Sequence, residues 1–257
     1  MAHKVKLALP PLGLGVYLAP PGECYNAVKT ALQLGYRHID TAAFYKNESD
    51  VGRAIRDSGI PRDKIWVTTK LWVDDIVKEG SATAAFQLSL GLLNIDYIDL
   101  YLIHAPAEGV RLMAWREMED VCRKDTAATL VFQTTESSTY PLVNQIELHP
   151  FLQHRDIVAY CQANGITLQA YSPLTKARKL ADPTLMKVAL QVNKTPAQVL
   201  IKWGLQKGYT SLPKSVNAIR MKENMEVFDW SIPDEAMVLL DTLEQGYRTG
   251  WDPTVWD

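Results

Sequence analysis

The sequence predicts an α/β fold, and within that class a (β/α)8 or TIM barrel. Short apolar or β-branched runs alternate with stretches of helical period, the mark of parallel strands covered by helices. The length, 257 residues, suits about eight such units in one domain spanning 1–257. The rival, an open doubly wound sheet, announces itself by G-x-G-x-x-G after its first strand. Here Gly13 and Gly15 have no third partner, and Val-Tyr-Leu-Ala-Pro-Pro follows them.

In chain order, Ala27, Ala31 and Leu34 share a helical face that Gly35 closes, and Arg37–Thr41 reads as a strand. Val51, Ile55 and the flanking Ala54 mark a second helix, ended by Gly59, before the strand-like Ile65–Thr69. Tyr97–Ile103 is the next strand, followed by a stripe of Leu112, Trp115, Met118 and Cys122. Leu142–Leu148 precedes a helix carrying Ile157, Tyr160, Cys161 and Asn164, stopped by Gly165, and then Ile166–Tyr171. Leu185, Val188, Ala189 and Val192 form one further stripe, and Val199, Leu200 and Trp203 another. Thr195 before Pro196 reads as an N-cap with proline at the first helical position, and Thr210–Pro213 is the last strand.

Composition narrows the function. Hydrophobic residues make up 47% and charged residues 22%, enough for a large core and too apolar for disorder. A net charge of −2 gives no electrostatic case for nucleic acid or an anionic membrane. Cys24, Cys122 and Cys161 lie far apart without a C-x-x-C spacing, which points to a reducing compartment, and the expected location is the cytoplasm. No metal is expected: His149 and His154 are wrongly spaced to share an ion and the other histidines are scattered. Without heptads or a large apolar stripe, a monomer is the simple expectation.

Barrel chemistry sits where strands end. The strand RHID ends in Asp40, IWVTTK in Lys70, and YIDLYLIH in His104, with Tyr45 in the loop after the first of these. Singly, each has a bland explanation as a helix cap, a solvated lysine, a packing ring or a structural histidine. Together they form a proton-handling set. A phenol with a pKa of about 10 is a poor acid near neutrality. A nearby ammonium at Lys70, held by Asp40, is expected to lower it, while a neutral His104 orients the substrate oxygen. A group that protonates a nascent alkoxide suits carbonyl reduction by a nicotinamide hydride.

At these residues the chain resembles the aldo-keto reductase family. The matching stretches are GYRHIDTAAFYKNE (35–48), DLYLIHAP (99–106), NQIELHPFLQ (144–153), AYSPL (170–174) and LPKSVNAIRMKEN (212–224). The resemblance implies a barrel that binds NADPH in extended form, with Asp40, Tyr45, Lys70 and His104 as the catalytic tetrad. It implies that Gln145 contacts the carboxamide and that Tyr171 stacks on the nicotinamide. Lys214, Ser215 and Arg220 grip the adenosine 2′-phosphate, with Glu223 and Asn224 near the adenine. Asp40, Thr41, Ser172, Leu174 and Val216 complete the implied cofactor set. Tyr17, Trp72, His104 and Trp251 are expected to face the substrate, a small carbonyl compound. Ala105 stands where many relatives carry tryptophan, which implies a wider pocket.

The pattern breaks between 121 and 147, VCRKDTAATLVFQTTESSTYPLVNQIE. The family places a G-V-S-N-Y/F strand and a helix there, whose Ser-Asn pair binds the carboxamide. Only a strand-like Thr129–Gln133 is present, and the polar, β-branched Thr134–Tyr140 is a poor helix former. Codons exist for Lys124–Tyr140 whose bases, read from the last base of the Lys124 codon, give GHCRNIGVSNYGVQHL. That is the missing unit. An out-of-frame segment, followed by a deletion before Pro141, explains the break, and resequencing the transcript tests it. A barrel altered at this strand and the helix after it is expected to be poorly stable and to bind NADPH weakly. The rival reading is a non-catalytic cofactor-binding barrel or an inactive paralogue.

Overall fold

The computed structural model describes residues 9–20, 22–72, 74–76, 80–105, 111–124 and 141–252. Along the chain run β1 (Leu14–Gly15), α1 (Glu23–Gln33), β2 (His38–Asp40), α2 (Glu48–Arg56), β3 (Trp66–Leu71) and α3 (Ala82–Leu93). Then come β4 (Leu100–Ile103), α4 (Arg111–Lys124), β5 (Val143–Glu147), α5 (Arg155–Ala163) and β6 (Thr167–Tyr171). The chain continues with α6 (Pro183–Gln191), α7 (Pro196–Gln206), β7 (Thr210–Leu212), α8 (Ala218–Met225) and α9 (Asp234–Asp241).

Strands β1-β2-β3-β4 pair in that order, and β5-β6-β7 form a second group; every pair is parallel. Parallel bridges Leu12↔Ser211 and Gly15↔Lys214 join the groups between β7 and β1. Gly13 N–H to Ser211 O (2.9 Å) and Gly15 N–H to Pro213 O (3.0 Å) hold that join. The result is a ring running β5-β6-β7-β1-β2-β3-β4. Across its remaining seam, Leu100 of β4 and Val143 of β5 touch with Trp66, Leu102 and Leu142, but no described strand lies between them. The expected strand Thr129–Gln133 falls outside the described residues.

The helices form where propensity and capping agree. Thr195 and Gln198 make a complete capping box at α7, with Pro196 at its first position. Asp182 caps α6 by accepting from Thr184 and Leu185 N–H. Gly35, Gly59 and Gly165 take positive φ (101°, 69° and 70°) and end their helices as expected. One close approach demands glycine: a Cβ on Gly52 would lie 1.7 Å from the Leu93 carbonyl oxygen, so α2 crosses the end of α3 backbone to backbone. Arg56 reinforces that crossing by donating to Leu93 O and Asn94 O, both at 2.8 Å.

Two stripes differ from expectation. On α4, Met118 is buried and Trp115 packs against the core as expected, but Leu112 is 68% exposed and Ala114 is buried in its place; the Cys122 side chain lies outside the description. On α5, Tyr160 is exposed, while Val158 and Cys161 are buried and Asn164 serves as the C-cap. In both, the polar face carries large nonpolar side chains, Leu112 and Met113 on α4 and Tyr160 on α5, which hydrophobic period alone misassigns. Cys24 and Cys161 are free and buried.

Candidate active site

Because the strands are parallel, their C-terminal ends share one rim. Asp40 is the last residue of β2, Lys70 the penultimate residue of β3, and His104 follows β4. Tyr45 comes from a 3-10 turn, Ala43–Tyr45, that ends on Lys46 in the left-handed region. The turn is braced by Asn47, which accepts from the Thr41 hydroxyl at 2.7 Å and donates to Val16 O at 3.0 Å. Thus Thr41 is a buried loop support and does not line the cavity.

Lys70 Nζ donates to Asp40 Oδ1 at 2.6 Å and to Thr41 O at 2.8 Å, with both charged side chains buried. The other Asp40 oxygen accepts from Gln145 Nε2 at 2.8 Å, which also donates to Gln169 Oε1 at 2.9 Å. With both N–H groups engaged, Gln145 keeps its carbonyl oxygen as an acceptor. Lys70 Nζ lies 5.2 Å from the Tyr45 ring centroid, and the Tyr45 and His104 rings are 5.4 Å apart, nearly perpendicular. The four residues of the expected tetrad are therefore neighbours.

One electrostatic expectation is corrected. Burial, then the Asp40 carboxylate and Tyr17, push the Tyr45 phenol well above its ordinary value of 10. Asp40 offsets the Lys70 field at contact distance, and two of the ammonium's protons go to Asp40 and Thr41, so Lys70 does not outweigh the burial of the phenol. The phenol therefore keeps its proton near neutral pH. Lys70 itself is lowered by burial, against which Asp40 acts. His104 falls to about 4, through burial and then the Lys70 charge, and is neutral as expected. Its Nδ1 is buried without a partner among the described residues.

These groups open into a cavity of about 880 Å³. Tyr17, Trp72 and Trp251 line it, as do Gln145, Tyr171, Ser172, Leu174, Lys214 and the small Ala105. Five further expected residues do not: Ser215 and Val216 precede α8, Arg220 lies in its first turn, and Glu223 and the buried Asn224 lie near its end. Ser215 Oγ accepts from Asn217 N–H at 3.1 Å, and Arg220 is exposed in the first turn of α8. The Glu223 carboxylate is engaged by the Thr195 hydroxyl. Sequence reasoning missed Phe44, whose ring packs 4.4 Å from that of Trp72, and also Trp115, Lys176, Thr249 and Gly250 in the cavity wall. Phe44 had a signal, since a turn placing Tyr45 on the rim carries its neighbour there too. Thr249, Gly250 and Lys176 had the same signal, lying within two residues of the expected Trp251 and Leu174, whereas Trp115 on α4 had none. Among the described residues no cluster of three histidine, cysteine or acidic side chains could hold a metal ion.

A model of the Aldo/keto reductase family matches residues 13–245. Methylglyoxal reductase DkgA of Yersinia pestis is 40% identical over 262 residues, covering 96% of this chain and 94% of that protein. The uncharacterized oxidoreductase YtbE of Bacillus subtilis (strain 168) is 40% identical over 264 residues, covering 97% of this chain and 94% of its own. That match is longer than the 257-residue chain, so YtbE has residues without a counterpart here. Among solved structures, MGS-M4, an aldo-keto reductase enzyme from a Medee basin deep-sea metagenome library, superposes with a TM-score of 0.90 at 36% identity. It covers 98% of this chain and 97% of that one. These likenesses identify the ring as a (β/α)8 barrel.

Proposed function

Because the chain belongs to the aldo/keto reductase family and is thus an oxidoreductase acting on carbonyl groups, we propose that it reduces aldehydes and small ketones with NADPH, Tyr45 donating the proton. The observation that carries this reading is the Tyr45 phenol set beside His104 and the buried Lys70–Asp40 pair in one cavity.

NADPH supplies the hydride when bound. The residues fit it: the Tyr171 ring lines the cavity, Gln145 offers its carbonyl oxygen to an amide, and Lys214 stands at the rim with Ser215 and exposed Arg220 beyond it for a phosphate. Thr41, Ser172, Leu174, Val216, Glu223 and Asn224 are assigned to the same cofactor through the family pattern, Thr41 by shaping the loop. His104 orients the substrate oxygen from its Nε2 side, since Nδ1 is buried. Tyr45 passes its proton to that oxygen, and Lys70 then faces a phenolate whose charge it stabilises until the proton returns. Tyr17, Trp72 and Trp251 exclude water around the carbonyl.

We read the chain as one barrel domain, monomeric and cytoplasmic, taking a small carbonyl substrate. Its near-even charge offers nothing to nucleic acid, and no helix among the described residues is long and apolar enough to cross a membrane. The experiment is NADPH oxidation with methylglyoxal and 4-nitrobenzaldehyde. Tyr45→Phe should lower kcat by about 10²–10⁴-fold with NADPH affinity kept. A variant as fast as wild type refutes the assignment. The seam between β4 and β5 favours a second reading, a cofactor-binding barrel without turnover. NADPH binding with no oxidation by either aldehyde would select it.

A further inference from the structure

One buried carboxylate on the rim has no part in the steps above. Glu147 ends β5 and is 3% exposed. Its Oε1 accepts from His149 Nε2 at 3.0 Å, from Thr249 N–H at 2.8 Å and from the Thr249 hydroxyl at 2.6 Å. Its Oε2 accepts from Gly250 N–H at 3.0 Å. Burial alone would raise this carboxyl; the hydrogen bonds outweigh it and hold the group below the usual carboxylate range.

What Glu147 grips is the segment after α9, which among the described residues has no helix or strand to fix its course. Its anchors are side chains and isolated backbone bonds. Gln245 and Tyr247 N–H reach Phe151 O, and Lys176 Nζ donates to Thr249 O at 2.7 Å. Gly250 is seated against the site, since a Cβ there would lie 3.4 Å from both Glu147 Oε2 and the Tyr171 hydroxyl. Thr249, Gly250 and Trp251 line the cavity. The carboxylate that holds the first two therefore sets where the third stands.

We propose that Glu147 is a positioning residue for substrate choice: by pinning Thr249 and Gly250 it fixes the Trp251 wall, and so the size and apolarity of the carbonyl compound admitted. The proposal rests on the reductase reading of the cavity. It does not require Glu147 to touch substrate or cofactor.

Glu147→Gln is the informative change. The side chain keeps its shape, but one oxygen becomes an NH2 facing N–H donors, so the clamp is mismatched on one side. In the full chain with saturating NADPH, KM for 4-nitrobenzaldehyde should rise about tenfold or more, as loss of a charged hydrogen bond implies, with kcat for methylglyoxal changed less than about threefold. In a Trp251→Ala background the same substitution should leave KM for the aromatic aldehyde nearly unchanged, because the wall it positions is gone. Equal losses with both aldehydes, or additive effects with Trp251→Ala, would overturn the proposal. Hydrogen exchange at the Thr249 and Gly250 amides gives a readout independent of turnover. Both should exchange at least about tenfold faster in Glu147→Gln at an unchanged melting temperature. Unchanged exchange overturns the clamp. A wild type that reduces neither aldehyde overturns the reductase reading instead, while exchange still decides the clamp.

Discussion

Lowering the pH from about 8 to about 5 should weaken the fold through two histidines. His38 is wholly buried, with Nε2 against the Thr68 hydroxyl at 2.9 Å, and burial lowers it from 6.5 to about 4. His104 is lowered to the same value by burial and the Lys70 charge. The folded values lie below the unfolded ones, so between these limits the unfolded chain binds protons that the folded chain refuses. Stability is full above about 6.5, falls as the pH drops through the window, and stops falling below about 4. At pH 5 each histidine costs about 2 kcal/mol, together about 4 kcal/mol, a large part of a typical stability of about 5–15 kcal/mol. Urea unfolding across this range, for wild type and a His38→Gln/His104→Gln variant, measures the effect. Buried Glu48 and Asp99, whose carboxyls burial raises, are common to both chains, so the difference isolates the histidines. A difference in pH dependence below about 1 kcal/mol, or imidazole titrations near the ordinary value, would refute the reasoning.

Asp40→Asn should destabilise by about 3–5 kcal/mol, read as a lowered urea midpoint, because it leaves Lys70 charged and buried beside a neutral amide. Gly52→Ala should cost about 1–3 kcal/mol in thermal unfolding, since its methyl group would occupy the Leu93 carbonyl; Gly91→Ala, with open space around it in α3, should gain up to about 1 kcal/mol. A chain in which the GVSNY reading and its following helix replace residues 125–140 should melt at a higher temperature and bind NADPH more tightly. No change in either would refute the proposed origin of the break.

Much of the rim was legible because strand-end chemistry is local. WVTTK and LYLIH are β-branched or apolar runs ending in a polar residue, RHID sets Ile39 just before Asp40, and parallel pairing brings those ends together whatever the exact register. Capping was legible at Thr195 and at Gly35, Gly59 and Gly165 for the same reason. Contacts fixed by ring closure were not. Gln145 meets Asp40 from 105 residues away, and Thr249 meets Glu147 from 102. Neither side chain differs in sequence from an ordinary surface amide or hydroxyl. Helix α3 was hidden by its composition, ATAAFQLSLGLL, whose small and apolar residues surround the axis and leave little periodic signal. The direction of the Tyr45 shift depended on desolvation and on where the Lys70 donors point, which only packed coordinates supply.

The described strands bury two large apolar clusters, one gathering β1 to β4 with their helices and the other β5, β6 and the later helices. The residues assigned to proton transfer all come from the first half of the chain, and most of those assigned to gripping the dinucleotide come from the second. Gln145 to Asp40 is a direct stitch between them, beside the short backbone join of β7 to β1. On the proposed function, alignment of hydride with proton becomes a matter of docking between half-barrels. Substitutions that shift one half as a rigid body should slow turnover while leaving each binding set intact.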